Sequence, residues 1–418
     1  MTERKRRKKQ EDAKKTGVII ANTGTPAAPT PKAVKKYLGQ FLMDPRICPM
    51  PRPVWWTLLH TVILRKRSVD SAAKYGKIWT EEGSPLTVIY ESLERGLNDY
   101  YAERGLAVEV RAAMSYGKPS LKQVVKELKE DGCTSLVVLP MYPQTAHSTT
   151  GSVVDAVNKA VRRTRWKHPV RIIEGYGEDT LYVRAIAASI RNAGFQEESN
   201  DRLLFSFHSI PLKDIEAGDT YELQTGATSL AVAGELGLDR RRWTISYQSR
   251  FDKGRTWLSP FTRPTLVRLA QAAEPGSRLF MVCPNFSVDC LETLYDIPYE
   301  LEPLYRAALA GEFVDADEEP GALENSGKGT SGVRKGSGST PGAHGPGFTG
   351  GGRHAAGACE EAHSGIRRTM AMKRTAENYR RGGQDEADDF IYVPCLNKSK
   401  AHVKVLVHLL APYVGDEA

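Results

Sequence analysis

Eight short apolar runs with helical patterns between many of them constrain this chain more than any other feature: Gly17 to Ala21, Val108 to Ala113, Ser135 to Pro140, Val170 to Glu174, Leu203 to His208, Trp243 to Tyr247, Leu279 to Pro284 and Phe390 to Pro394. Such runs suit strands covered on both faces. The amphipathic helical patterns include Ser120 to Asp131, Tyr182 to Asn192 and Thr265 to Ala273. Strands alternating with helices build parallel sheets, and ligands of such sheets collect at the carboxyl ends of the strands. At 418 residues the chain exceeds the usual size of one domain, so two α/β lobes are expected, each doubly wound around a parallel sheet.

Charge and cysteine usage narrow the function classes. The net charge of +8 comes partly from Arg4, Lys5, Arg6, Arg7, Lys8, Lys9, Lys14 and Lys15, a run with few apolar neighbours that is expected to be a solvated tail over residues 1–15. No nucleic-acid partner is expected from it, and no motif points to a protein partner. The apolar segment Gly17 to Asn22 is too short for a signal-peptide core or a membrane span, so the expected location is the cytoplasm. The six cysteines (48, 133, 283, 290, 359 and 395) include no Cys-x-x-Cys pair, which argues against a zinc knuckle or a disulfide framework. Residues 311–388 are dominated by Gly, Ser, Ala and charged residues and are expected to be a disordered insertion, with a short helix at Arg367 to Arg380. No strand precedes Gly327 and no helix follows, so its Gly and Lys residues make no phosphate loop.

His208 ends the apolar run Leu203 to His208 and is followed by Ser209, Ile210 and Pro211. A strand thus delivers an imidazole to its own end. A second segment, Cys283-Pro284-Asn285-Phe286-Ser287-Val288-Asp289-Cys290-Leu291-Glu292-Thr293-Leu294, again reads strand, loop and helix start, with carboxylates at the start of the helix. Ordered with these are Ala21 to Pro26, Trp79 to Leu86, Tyr142 to Gln144 with Ser148 to Ser152, and Ser246 to Phe251 with Trp257 and Leu258. In this joint order the blocks resemble ferrochelatase, over nearly the whole chain except the first fifteen residues and the stretch after Gly311.

The resemblance implies two chelatase-type, Rossmann-like lobes facing across a cleft, spanning residues 16–177 and 178–310, with 389–418 supplying a last strand and helix. It implies insertion of ferrous iron into a porphyrin, with His208 and Glu292 as the catalytic and metal-handling pair. It matches Thr23, Arg67, Ser84, Tyr116, Trp257, Phe286 and Asp289 to substrate-binding positions, and Asp296 and Glu300 to a row that leads metal towards the pocket. Some ferrochelatases hold an iron–sulfur cluster on closely spaced carboxyl-terminal cysteines. Cys395 stands alone, so no cofactor is expected, iron being a substrate.

The chemistry suits these residue types. Metallation removes two pyrrole protons while the metal arrives, and an imidazole with an ordinary pKa near 6.5 accepts a proton at cell pH and also ligates ferrous iron. A neighbouring carboxylate stabilises the imidazolium. Glu292, Asp296 and Glu300 recur every four residues on one helix side, and Pro298 is expected to kink that helix or force a bulge. The apolar segment 51–67, with Trp55 and Trp56 beside Arg52, Arg65, Lys66 and Arg67, matches the lip of the active-site mouth in relatives and suits peripheral contact with a membrane surface. The resemblance also shows two departures at the pocket: Ser115 stands where many relatives have arginine, and Thr23 where they usually have a larger apolar or aromatic side chain. Protoporphyrin is the expected substrate, with coproporphyrin the alternative. A cobalt-inserting relative and a non-catalytic porphyrin carrier are the further readings.

Overall fold

The eight apolar runs become eight strands, all parallel to their neighbours, in two four-stranded sheets. The computed structural model describes residues 15–252, 254–316 and 389–416. The basic tail up to residue 14, nearly all of the 311–388 insertion and the Arg367 to Arg380 helix lie outside the described residues. The first sheet holds β1 (Thr16–Asn22), β2 (Val108–Met114), β3 (Ser135–Pro140) and β4 (Val170–Ile172), in the order β2-β1-β3-β4. The second holds β5 (Arg202–His208), β6 (Trp243–Gln248), β7 (Leu279–Val282) and β8 (Phe390–Val393), in the order β6-β5-β7-β8.

The two orders are the same pattern repeated. In each sheet the first strand pairs with the second on one side and the third on the other, so the connection reverses direction at β1 and again at β5. Crevices form at such switch points, outside the carboxyl ends of the strands.

Strand periodicity explains why both faces of β1 are apolar. Val18 and Ile20 point into one buried cluster, with Leu93 and Leu97 of the helix Pro85–Glu103. Ile19 and Ala21 point into another, against Val124 and Leu128 of the helix Leu121–Glu130 and Val157 of the helix Thr150–Thr164. The first cluster continues into Phe205, Phe207 and Phe280 of the second sheet. The final helix Lys400–Val414 lies across the junction, with Val403 of that helix against Gly96 of the first lobe.

Two stretches of π-helix interrupt the helical segments, at Leu59–Ile63 and Ile297–Leu301. The second contains Pro298, the residue expected to force a bulge, because proline has no N–H to continue the ladder. The 51–67 segment divides its tryptophans. Trp55 is buried, with Nε1 donating to Leu42 O at 2.6 Å, whereas Trp56 is exposed along with Val54, Leu58 and Val62. Among the described residues no helix is long and apolar enough to cross a membrane.

Candidate active site

A cavity of about 740 Å³ opens at the carboxyl ends of both sheets, lined by Thr23 and Tyr142 from the first and His208, Gln248 and Asn285 from the second. His208 is the last residue of β5, half-buried, with Nδ1 2.7 Å from Ser209 O. A carbonyl oxygen only accepts, so this contact puts the proton of the neutral ring on Nδ1 and leaves a lone pair on Nε2. Tyr221 donates from its hydroxyl to the His208 carbonyl at 3.0 Å, fixing the strand end.

Glu292 lines the same cavity, from the one-turn helix Leu291–Leu294. Gln248, the last residue of β6, donates to the Glu292 carbonyl at 3.1 Å and accepts from Ser206 Oγ at 2.6 Å. The amide therefore ties the Glu292 helix to β5. Asp289 requires a correction: it precedes this helix rather than opening it, is buried, and is not among the residues that line the cavity. Its carboxylate accepts from Thr293 Oγ1 (2.8 Å), Tyr392 OH (2.8 Å) and Asn397 Nδ2 (2.6 Å). With its acceptor sites occupied from three sides, Asp289 anchors the turn that presents Glu292 and is not placed to hold substrate.

Asp296 and Glu300 continue along the same wall. Burial, then Glu300 nearby, pushes the Asp296 carboxyl above the usual carboxylate range, and Lys74 opposes that shift. Ser249 donates to Asp296 Oδ2 at 3.0 Å from a left-handed backbone conformation (φ 62°) directly after β6, a strained geometry for a residue with a Cβ. The row is not bare: Lys74 of the helix Leu64–Ile78 places Nζ 2.8 Å from Glu300 Oε1 and 3.8 Å from Asp296 Oδ1. Burial opposes the Lys74 charge, but the two acids together raise its pKa above the ordinary value.

Another part of the lining is suited to carboxylates, and it begins on the helix that carries Lys74. Arg67 is half-buried, stacks 4.0 Å from the Phe251 ring centroid, and leaves Nη1 buried without a hydrogen-bond partner. Burial pulls its pKa down to about 10, so it stays charged at neutral pH. Arg255 lies 5.9 Å from the same Phe251 centroid and 4.6 Å from that of Trp257, whose Nε1 is likewise buried and unpartnered. Two guanidinium groups thus converge on one aromatic edge of the cavity.

Of the other expected substrate contacts, Thr23, Ser84, Trp257 and Phe286 line the cavity. Thr23 Oγ1 lies 2.5 Å from Tyr142 OH, and Ser84 Oγ 2.9 Å from Thr25 Oγ1. Gly24 makes this loop possible: at φ 106° it lies so close to Tyr116 that an added Cβ would fall 2.1 Å from the Tyr116 carbonyl oxygen. Tyr116 itself is a second correction. It is buried, donates to Asp44 Oδ2 at 2.5 Å, and does not line the cavity. Nor does Ser115, whose hydroxyl oxygen is buried without a partner. Lys74, Arg255, Tyr392 and Asn397 carried no signal in the sequence, because each meets its partners only through the fold. Gln248 lay inside the Ser246 to Phe251 block and was findable there.

The family model described as Ferrochelatase matches residues 15–317. Ferrochelatase from Polaromonas sp. (strain JS666) is 42% identical over 298 residues, 71% of this chain and 80% of the relative. Ferrochelatase from Thioalkalivibrio sulfidiphilus (strain HL-EbGR7) is 43% identical over 298 residues, again 71% of this chain and 80% of the relative. Among solved structures, SirB from Bacillus subtilis with Fe3+ aligns at TM-score 0.41 and 11% identity, over 70% of this chain and 84% of its own.

Proposed function

The chain belongs to the ferrochelatase family and is a porphyrin metal chelatase, and from that premise we propose that it inserts ferrous iron into protoporphyrin IX to form protohaem. One observation carries the reading: a single cavity is lined by an imidazole whose Nδ1 is held by Ser209 O, a carboxylate, and a guanidinium whose Nη1 is buried without a hydrogen-bond partner.

In this reading the disc is held by apolar burial and its carboxylates by Arg67, with Arg255 nearby. His208 Nε2 accepts a pyrrole proton or ligates the incoming iron, and Glu292 stabilises the imidazolium and takes a proton in turn. Asp296 and Glu300 form the side from which iron arrives. Arg67 and Arg255 gather at one aromatic edge of the cavity, Arg255 with its Nε 2.7 Å from Asp252 Oδ2, while Leu58, Val62, Ile63 and Ile78 supply apolar lining elsewhere, an arrangement that suits a disc with carboxylates at one edge such as protoporphyrin. Leu58 and Val62 are also exposed, so the 51–67 segment is contiguous with the mouth, and we read it as the surface that meets a membrane or a porphyrin in transit. Cys395 is isolated in sequence and buried 3.5 Å from Tyr392 OH, and the chain is read as working without an iron–sulfur cluster.

Anaerobic iron insertion with protoporphyrin IX and with coproporphyrin III tests the substrate. The expected result is a higher kcat/KM for protoporphyrin. A strong preference for coproporphyrin would move the chain to the other branch and leave the chelatase chemistry intact.

A further inference from the structure

The acidic wall of the cavity holds a cation of its own. Lys74 belongs to the first lobe, 226 residues before Glu300, yet its ammonium donates to Glu300 Oε1 at 2.8 Å and lies 4.7 Å from the Tyr295 ring centroid. One turn on, Lys77 lies 4.6 Å from the Tyr299 centroid, and the rings of Tyr295 and Tyr299 stack at 5.0 Å. The ion pair is partly dry, with side-chain exposures of 25% for Lys74, 15% for Glu300 and 19% for Asp296. Water does not screen such a pair fully, and removing one partner leaves a charge stranded in the wall.

We infer that Lys74 is a gate for the metal: an ion that enters past Glu300 and Asp296 must take the place of its ammonium. The inference rests on the reading above that iron arrives along this wall. Swapping one cation for another keeps the carboxylate compensated throughout, so entry does not pass through a bare buried charge. It also keeps this outer position weak. Two carboxylates without a counter-ion would hold a divalent ion firmly and retard its passage to His208 and Glu292, whereas a resident ammonium makes the hold reversible. Lys74 is thus a positioning residue, acting through the acids it pairs with.

The test uses Mn2+ alone as probe, its free-ion paramagnetic resonance signal falling as it binds, on the full chain without porphyrin. Lys74→Met should bind one Mn2+ about tenfold more tightly than wild type, or better, the size expected for an uncompensated carboxylate in a partly buried site. Lys74→Arg, which keeps the charge, should behave as wild type. Adding Glu300→Gln to Lys74→Met should remove the extra binding. In steady state Lys74→Met should lower the KM for Fe2+ and leave that for porphyrin unchanged. Equal Mn2+ affinity in Lys74→Met and wild type would overturn the gate, as would tight binding that survives Glu300→Gln, since the ion would then sit elsewhere. Iron insertion by the wild-type chain is scored separately, so failure of the chelatase reading is distinguishable from failure of the gate.

Discussion

At the carboxyl end of β1 the chain presents Asn22 and Thr23; at the carboxyl end of β5, the equivalent strand of the other sheet, it presents His208. Both ends reach one cavity, through the same topology, with different chemistry. The first is neutral: Asn22 donates to Tyr90 OH at 2.7 Å and Thr23 meets Tyr142. The second carries a titratable ring with one nitrogen free, and the next strand but one leads into Glu292. The first lobe also supplies Arg67, a fixed charge that does not titrate near neutral pH. On the proposed reading the proton-handling groups His208 and Glu292 both come from the second lobe, while the first contributes Arg67 to binding, beside Arg255 of the second. Doubly wound sheets allow this because a switch point makes a crevice regardless of what lines it.

Removing the chemistry from the second lobe should have the largest effect. Glu292→Gln keeps the shape and removes the charge, and we expect kcat for iron insertion to fall about a thousandfold, within the range for a lost acid–base group. Porphyrin affinity should change little. A fall of only a few-fold would return Glu292 to a structural role.

The second lobe should also hold the acid-sensitive part of the fold. His402 is fully buried, its Nδ1 against Asn397 O, the residue whose side chain braces Asp289. Burial pulls its pKa down to about 4, and its Nε2 has no partner. The unfolded chain takes up a proton near pH 6.5 that the folded chain refuses, so stability from the neutral ring is complete above that pH and lost as pH falls towards 4. Spread over that window the loss is about 3 kcal/mol. Denaturant titrations between pH 4 and 7 should show it, and His402→Asn, which retains a donor near Nδ1, should flatten the profile. An unchanged profile in the variant would place the acid sensitivity elsewhere.

The first lobe should reveal itself in binding. Arg67→Leu removes a charged donor that has no internal partner, so the porphyrin KM should rise about tenfold or more, as for other charge-assisted hydrogen bonds, with kcat nearly unchanged. A loss confined to kcat would erase the division between the lobes.

Much of this architecture was legible before the structure, for physical reasons. Strands covered on both faces must be apolar throughout, and all eight runs became strands. Pro298 announced its π-helix because proline cannot donate. The segment Leu59–Ile63 gave no such notice, since it contains no proline or glycine. Trp55 and Trp56 looked alike in sequence, but helix periodicity sends neighbours to different faces, one inward and one to the surface. Asp289 looked like a site residue because its block resembles that of the family. Besides Thr293, its partners are 103 and 108 residues away, beyond the insertion, and no local pattern encodes them. The Lys74 pair is hidden for the same reason.

The central claim is that His208 does chemistry and does not merely hold the ring. An anaerobic single-turnover experiment with protoporphyrin IX and Fe2+ can follow both on one sample, quenching of protein fluorescence for binding and haem absorbance for metallation. For His208→Ala the binding phase should keep its amplitude and affinity while the metallation phase disappears. Metallation at a near-normal rate, or loss of both phases together in a folded protein, would contradict the account.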